Sequence, residues 1–241
     1  MLRGNSLAWD TREGAAEARR LFHDAIRLDP GYALAHALLA ALRLNGWFED
    51  QGDSAELLDE AERHARLAVA LDENDSACFS MLAWVFQLRR QFDLALQHQE
   101  RAAALNANNP WNCADMGGTL ISHGDLDAAL GWLARAREID PFFDVSWYWR
   151  LVGQAHILQG RYRDALLALD RVTVPTFRVS ALAAACHSAL GDTARAQACV
   201  RDCLRLKPDF SVEAYMRKAP FRLDEHAERQ RALFLAAGLP A

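Results

Sequence analysis

GDLDAALGWLARAREIDP, residues 124–141, carries the pattern on which the rest of the chain is built. Ala129 lies four residues before Leu133, Ala136 three residues after it, and Pro141 closes the run. Spacings of three and four put these residues on one helix face, where two small side chains beside a large one let another helix approach closely. Ala18, Phe22, Ala25 and Pro30 fall at the same relative places, as do Ala196, Val200, Cys203 and Pro208. A face that returns at a nearly fixed interval marks a helical repeat protein, in which each unit buries its apolar side only by stacking on the next.

Outward from that stretch the chain divides into helix pairs. Residues 110–143 form the template repeat: Pro110 suits a first helical turn, Gly117 permits close helix approach, and Gly124-Asp125 turns the chain. Residues 76–109 form the repeat before it, with helices expected at 76–89 and 92–105 and with Gln99 where a large apolar residue is expected. Repeat 146–176 keeps Gly153, Gly160, Ala165 and Leu169 in register, but Val174-Pro175 cuts its second helix short near Val172. Repeat 177–210 returns to the 34-residue length. Repeat 33–75, with helices expected at 33–45 and 55–71, holds the insert GWFEDQGDS, whose Trp47 and Phe48 are expected to plug the adjoining helix pair. In front, Thr11 caps a helix over residues 12–28 that Asp29-Pro30-Gly31 ends, leaving a partial repeat at 1–32. LRGNSLAW after Met1 reads as a helix already under way, as though the chain began inside a larger protein. Beyond Phe210 the period is lost. A short helix at 212–217 and an amphipathic one at 224–236, with Leu233, Phe234 and Ala237 at its apolar edge, are expected as capping helices over 211–241.

Composition narrows the function. The chain of 241 residues is 51% hydrophobic and 24% charged, which is ordinary folded-protein usage, and its net charge of -5 offers no global attraction to nucleic acid or to an anionic membrane. The five cysteines all fall in expected helices as small apolar residues of a reducing compartment. Cys199 and Cys203 share a face but have neither a His pair nor a CxxC spacing, so no metal is expected. His123, His156 and His187 recur near the repeat spacing and read as helix-end residues rather than a ligand ladder. The sequence has no HExxH motif, no glycine-rich phosphate loop and no basic stripe, so neither an enzyme nor a cofactor nor a nucleic-acid partner is expected. No apolar run long enough to span a membrane and no signal-peptide core is visible, so the chain reads as cytoplasmic.

The small-large-small-Pro pattern with its 34-residue period resembles the tetratricopeptide repeat family over nearly the whole chain. Trp149, Val152 and Gly153, or Phe79, Leu82 and Ala83, stand where that family places a large, an apolar and a small residue in the first helix. The departures are the insert, Glu73 and Ala107 in place of the terminal Pro, and the shortened repeat at 146–176. The resemblance implies an all-α superhelix of about five complete repeats, a partial repeat in front and capping helices behind. It also implies that the first helix of each pair lines a concave, partner-binding surface, and that on it lie Trp84, Gln87, Trp111, Trp147, Arg150, Gln154 and Arg178. The chain ends are similar to the C-terminal repeat regions of bacterial class III nucleotide cyclases and winged-helix regulators.

Two readings of the surface residues stay open at this point. In one, the tryptophans are apolar shelves and the arginines take a partner's carboxylate through forked hydrogen bonds. In the other, the tryptophans fill the inside of the superhelix and each Arg pairs with a local acid such as Asp144. The expected function is a non-catalytic scaffold that binds a protein or peptide segment, as a regulatory part of a larger bacterial protein. The alternative is an oligomerisation or ligand-sensing arm that self-associates.

Overall fold

The computed structural model describes residues 12–48, 54–174 and 176–241. Among the described residues the chain forms thirteen α-helices and no strand, joined as successive helix hairpins. They fall into two compact units, residues 1–107 and 108–241. Thr11, the opening LRGNSLAW and residues 49–53 of the insert lie outside the described residues.

The first unit contains α1 (Arg12–Leu28), α2 (Ala33–Phe48), α3 (Ser54–Leu71), α4 (Ser76–Leu88) and α5 (Phe92–Leu105). α2 pairs with α3 and α4 with α5, while α2 also packs against α4, so the first helices of consecutive hairpins are neighbours. The template face is the buried face: Ala61, Ala65 and Ala68 on α3, and Ala95, Gln99 and Ala102 on α5, are all shut away from solvent. Gln99 is tolerated there because its Nε2 donates to Ser80 Oγ on α4 at 3.2 Å. α2 runs three residues past its expected end, through Gly46, Trp47 and Phe48. The cause is Trp47, which joins Leu44, Ala61, Ala65 and Leu82 in one apolar cluster, so continuing the helix buries a large ring.

The second unit contains α6 (Pro110–His123), α7 (Leu126–Ile139), α8 (Ser146–Leu158), α9 (Tyr162–Leu169), α10 (Phe177–Ala189), α11 (Thr193–Leu206), α12 (Val212–Lys218) and α13 (Asp224–Ala236). Its helix starts are written in the sequence. Asn109 accepts from Trp111 N–H just before Pro110, Asp125 from Ala128, Asp192 from Arg195 and Ser211 from Ala214, each satisfying an amide that the first helical turn leaves free. The close approach expected at Gly117 is real: a Cβ there would stand 2.5 Å from Leu133 Cγ. α9 stops at Leu169, yet Val172 beyond it stays buried, so the third template position is filled from the turn.

The three hairpin turns of the second unit each hold one left-handed residue, Gly124, Gly160 and Gly191, with φ of 107°, 76° and 80°. In the first unit Arg90 adopts the same conformation, φ 59°. The helix expected as a cap over the end of the array forms at Asp224–Ala236, and it packs mainly against α10, the first helix of the last hairpin, with further contacts to α12 and α8. α12 is only seven residues long, and the connector after it carries the chain back until Arg222 N–H donates to Ser122 C=O at the end of α6, 2.9 Å.

Candidate functional site on the first-helix face

In the second unit the first helices α6, α8 and α10 present one side that the chain's own tail, residues 212–241, crosses. α13 starts beside the α6–α7 turn, where Leu223 lies so close that a Cβ on Gly124 would fall 2.5 Å from its Cδ1, and Arg222 contacts His123. One step further the Arg229 guanidinium donates to Leu158 C=O at the end of α8, 2.7 Å, and Gln154 Nε2 donates to Gln230 Oε1, also 2.7 Å. At the end of α10 Ser188 Oγ donates to Ala236 C=O, 3.1 Å. The bonds to Leu158 and Ala236 engage carbonyls that the last turn of a helix leaves without an intrahelical partner.

The tail closes on itself. Val212 N–H donates to Pro240 C=O at 2.7 Å, and Glu213 pairs with Arg231 at 2.6 Å. Phe234 is fully buried among Phe210, Val212, Cys203 and Leu182, and its ring stands 5.1 Å from that of Tyr215. Two crevices, of about 520 and 470 Å³, each have the tail as one wall, at Leu223 and at residues 236–238.

The seven residues expected to line a partner surface are distributed as follows. Gln154 is buried under Gln230. Arg150 and Arg178 are both electrostatic neighbours of Tyr215, whose hydroxyl pKa is pushed up by burial against the opposing pull of those two guanidiniums. Asp144 is taken by the Trp149 indole N–H and by Arg171 at 3.5 Å, and these two hold its carboxyl below its usual pKa. Trp111 and Trp147 meet with ring centroids 5.8 Å apart at the other ends of α6 and α8, joined by Phe143; Trp111 is 50% exposed and the nearby Phe142 90%. In the first unit, Trp84 stacks on Phe48 from the insert at 6.4 Å, and Gln87 is half-buried near the end of α4. Thus the tail covers Gln154 and lies beside the half-buried Arg150 and Arg178, Trp111 and Trp147 form an open aromatic patch, and Trp84 and Gln87 belong to the first unit.

What sequence reasoning missed is the tail's role. Its signal was present: Leu223, Ala227, Gln230, Phe234 and Ala237 follow one another at spacings of four, three, four and three, a single helical stripe interrupted by one amide.

A second cluster lies in the first unit. His36 and His64 bring their Nδ1 atoms to 3.1 Å, while His36 Nε2 faces Pro30 C=O at 3.4 Å. Burial lowers the His64 pKa to about 4, helped by His36, Arg43 and His23 and opposed by Glu60. Burial pushes the thiols of Cys78, Cys186 and Cys203 up to about 12, so they behave as apolar packing rather than nucleophiles. Among the described residues no group of three or more His, Cys, Asp or Glu is placed to hold a metal, and no helix is long and apolar enough to cross a membrane.

Fold and site together define an all-α array of tetratricopeptide-type helix hairpins. Residues 178–210 match the model of the tetratricopeptide repeat family. No curated protein sequence matches the chain. Among solved structures, the chain is similar to one from the APC/C hetero-tetramer Cut9–Hcn1, at 14% identity over 90% of this chain and 42% of that one, with a TM-score of 0.65. PilW, a widely conserved type IV pilus biogenesis factor, is similar at 17% identity over 82% and 88%, TM-score 0.59. A thermophilic TPR protein of Thermus thermophilus is similar at 16% over 81% and 99%, TM-score 0.57. At these identities the likeness is one of fold.

Proposed function

We propose that the chain is a non-catalytic interaction module that binds a protein or peptide segment on the first-helix faces of its hairpins, as a cytoplasmic regulatory part of a larger bacterial signalling protein. The observation that carries this reading is the tail itself: α8 and α10 already hold a helical segment through side-chain and carbonyl contacts. The repeats are residues 33–75, 76–109, 110–143, 146–176 and 177–210, after a partial one at 1–32 and before capping helices at 211–241. Trp111 and Trp147 act as the apolar shelf, Arg150, Gln154 and Arg178 as the polar contacts, and Trp84 with Gln87 as the first unit's contribution. The net charge of -5 favours a protein partner over nucleic acid.

The test is capture from lysate by the wild-type chain beside Trp111→Ala with Arg150→Glu, after circular dichroism has matched their helicity. Partners lost with the variant support the reading, and partners retained equally overturn this placement of the site. A second reading, an oligomerisation arm such as a nucleotide cyclase carries, is favoured by the exposure of Phe142 and Trp111. Light scattering that finds a monomer over a wide concentration range removes it.

A further inference from the structure

The tail's contacts keep step with the hairpins. Leu223 meets the turn after α6, Arg229 and Gln230 meet the end of α8, and Ala236 meets the end of α10, so each hairpin takes six or seven tail residues. Seven residues are two helical turns and rise ~10 Å, which is the distance between packed neighbouring helices, about 8–10 Å. An amphipathic helix of any origin with a seven-residue stripe therefore fits this face hairpin by hairpin, whereas an extended strand of the same pattern falls out of register.

The resident helix does not fit equally well along its length. Its Phe234 end is anchored among Phe210, Val212 and Tyr215. At its centre Gln230 is fully buried, and its Nε2 has no hydrogen-bond partner among the described residues. Leaving a buried donor unpaired costs more than a typical formed bond returns. The remaining polar contacts, from Arg222, Arg229 and Ser188, are ones that water replaces when the helix lifts away.

We propose that the first-helix face of the second unit is an acceptor for one amphipathic helix, with residues 223–237 as its resident occupant, and that a partner helix bearing the same stripe displaces them. That stripe is large apolar, small, polar, large aromatic and small at spacings of four, three, four and three. This rests on the interaction-module reading and names the partner's chemistry. The tail then sets the threshold for binding, because the apparent affinity of a partner falls by the fraction of molecules whose face is free.

The experiment uses the full chain and a fluorescein-labelled synthetic peptide of residues 219–241 as probe, read by anisotropy. Phe234→Ala in the chain, which loosens the tail and changes no residue of α8 or α10, is expected to tighten probe binding about ten-fold or more over wild type. Arg229→Ala, which removes only the bond to Leu158 C=O, serves if Phe234→Ala loses its helicity, and is expected to tighten binding about three-fold. Added probe is expected to speed hydrogen exchange at residues 224–237 and not within α10. No probe binding by either variant, or exchange of the tail only at the rate of α10, overturns the proposal and leaves α13 a fixed structural helix. Tightening accompanied by concentration-dependent dimers of the free chain also overturns it, in favour of tail exchange with a second copy. Failure of the interaction-module reading is separate: there the probe binds, yet lysate capture is unchanged by Trp111→Ala with Arg150→Glu.

Discussion

The two units build hairpins on the same template but protect their first helices by different means. In the first unit the cover is local: Trp47 and Phe48 prolong α2, Phe48 shelves Trp84, and ion pairs tie α3 to its neighbours, Arg43 to Glu60 and Arg89 to Glu62, each at 2.6 Å. In the second unit the cover is remote, a tail that returns across three hairpins and buries Phe234 and Gln230. A cover made from adjacent residues forms with its hairpin. A cover brought back from the chain end carries a cost in loop closure and opens as a unit.

The sharpest way to break that contrast is Phe234→Ala beside Trp111→Ala. Phe234 is wholly buried, so its truncation is expected to destabilise the second unit by about 3–5 kcal/mol in urea unfolding. Trp111, half exposed on the open patch, is expected to cost under about 1 kcal/mol. Equal costs would mean that the tail adds nothing to the unit it covers.

Next in size is a pair of glycines in the same left-handed conformation. Gly191→Ala meets no atom within 4 Å and is expected to cost only the backbone strain, about 1–2 kcal/mol. Gly124→Ala adds a collision with Leu223, 2.5 Å away, and is expected to cost about 1 kcal/mol more and to speed exchange in α13. Equal costs for the two would show that Leu223 yields freely.

The first unit has its own lever in pH. His64 is neutral in the folded chain because burial lowers its pKa from 6.5 to about 4, whereas the unfolded chain takes up a proton near the ordinary value. The stabilisation is therefore complete above pH 6.5 and is lost as pH falls toward 4. For a half-buried ring, after solvent screening, it amounts to about 1 kcal/mol. His64→Gln is expected to flatten this part of the acid limb, leaving the same-signed contributions of His98, His156 and His226, whose pKa values burial also lowers. An unchanged pH profile would remove the His36–His64 contact as a stabilising element.

The smallest effect is expected at Arg90, the one left-handed turn residue of the described chain that is not glycine. Arg90→Gly is expected to stabilise the first unit by about 0.5–1 kcal/mol. A loss instead would show that the Arg90 side chain outweighs its backbone strain.

Helix starts were readable where a capping side chain sat at the boundary, as at Asp75 before Ser76 and Asn109 before Pro110. The one clear overrun, α2 through Phe48, came from a tertiary gain: Trp47 finds a core pocket that no capping rule describes. Of the surface residues, Trp111 and Trp147 meet as neighbours on a repeat array should. Gln154 could be placed on the inner side of its helix, but not beneath Gln230, because the two are separated by 76 residues.

By itself the sequence determined the repeat, its period, the buried small-large-small face and nearly every helix, since each depends on residues three, four or one hairpin apart. Only the tertiary structure decided where the final helix docks. Its stripe of Leu223, Ala227, Gln230, Phe234 and Ala237 suits the last hairpin's outer side as well as the first-helix face, so local pattern leaves the two degenerate. The short α12 and the turn that joins Arg222 to Ser122 break the degeneracy, because they return the chain to α6 before α13 begins.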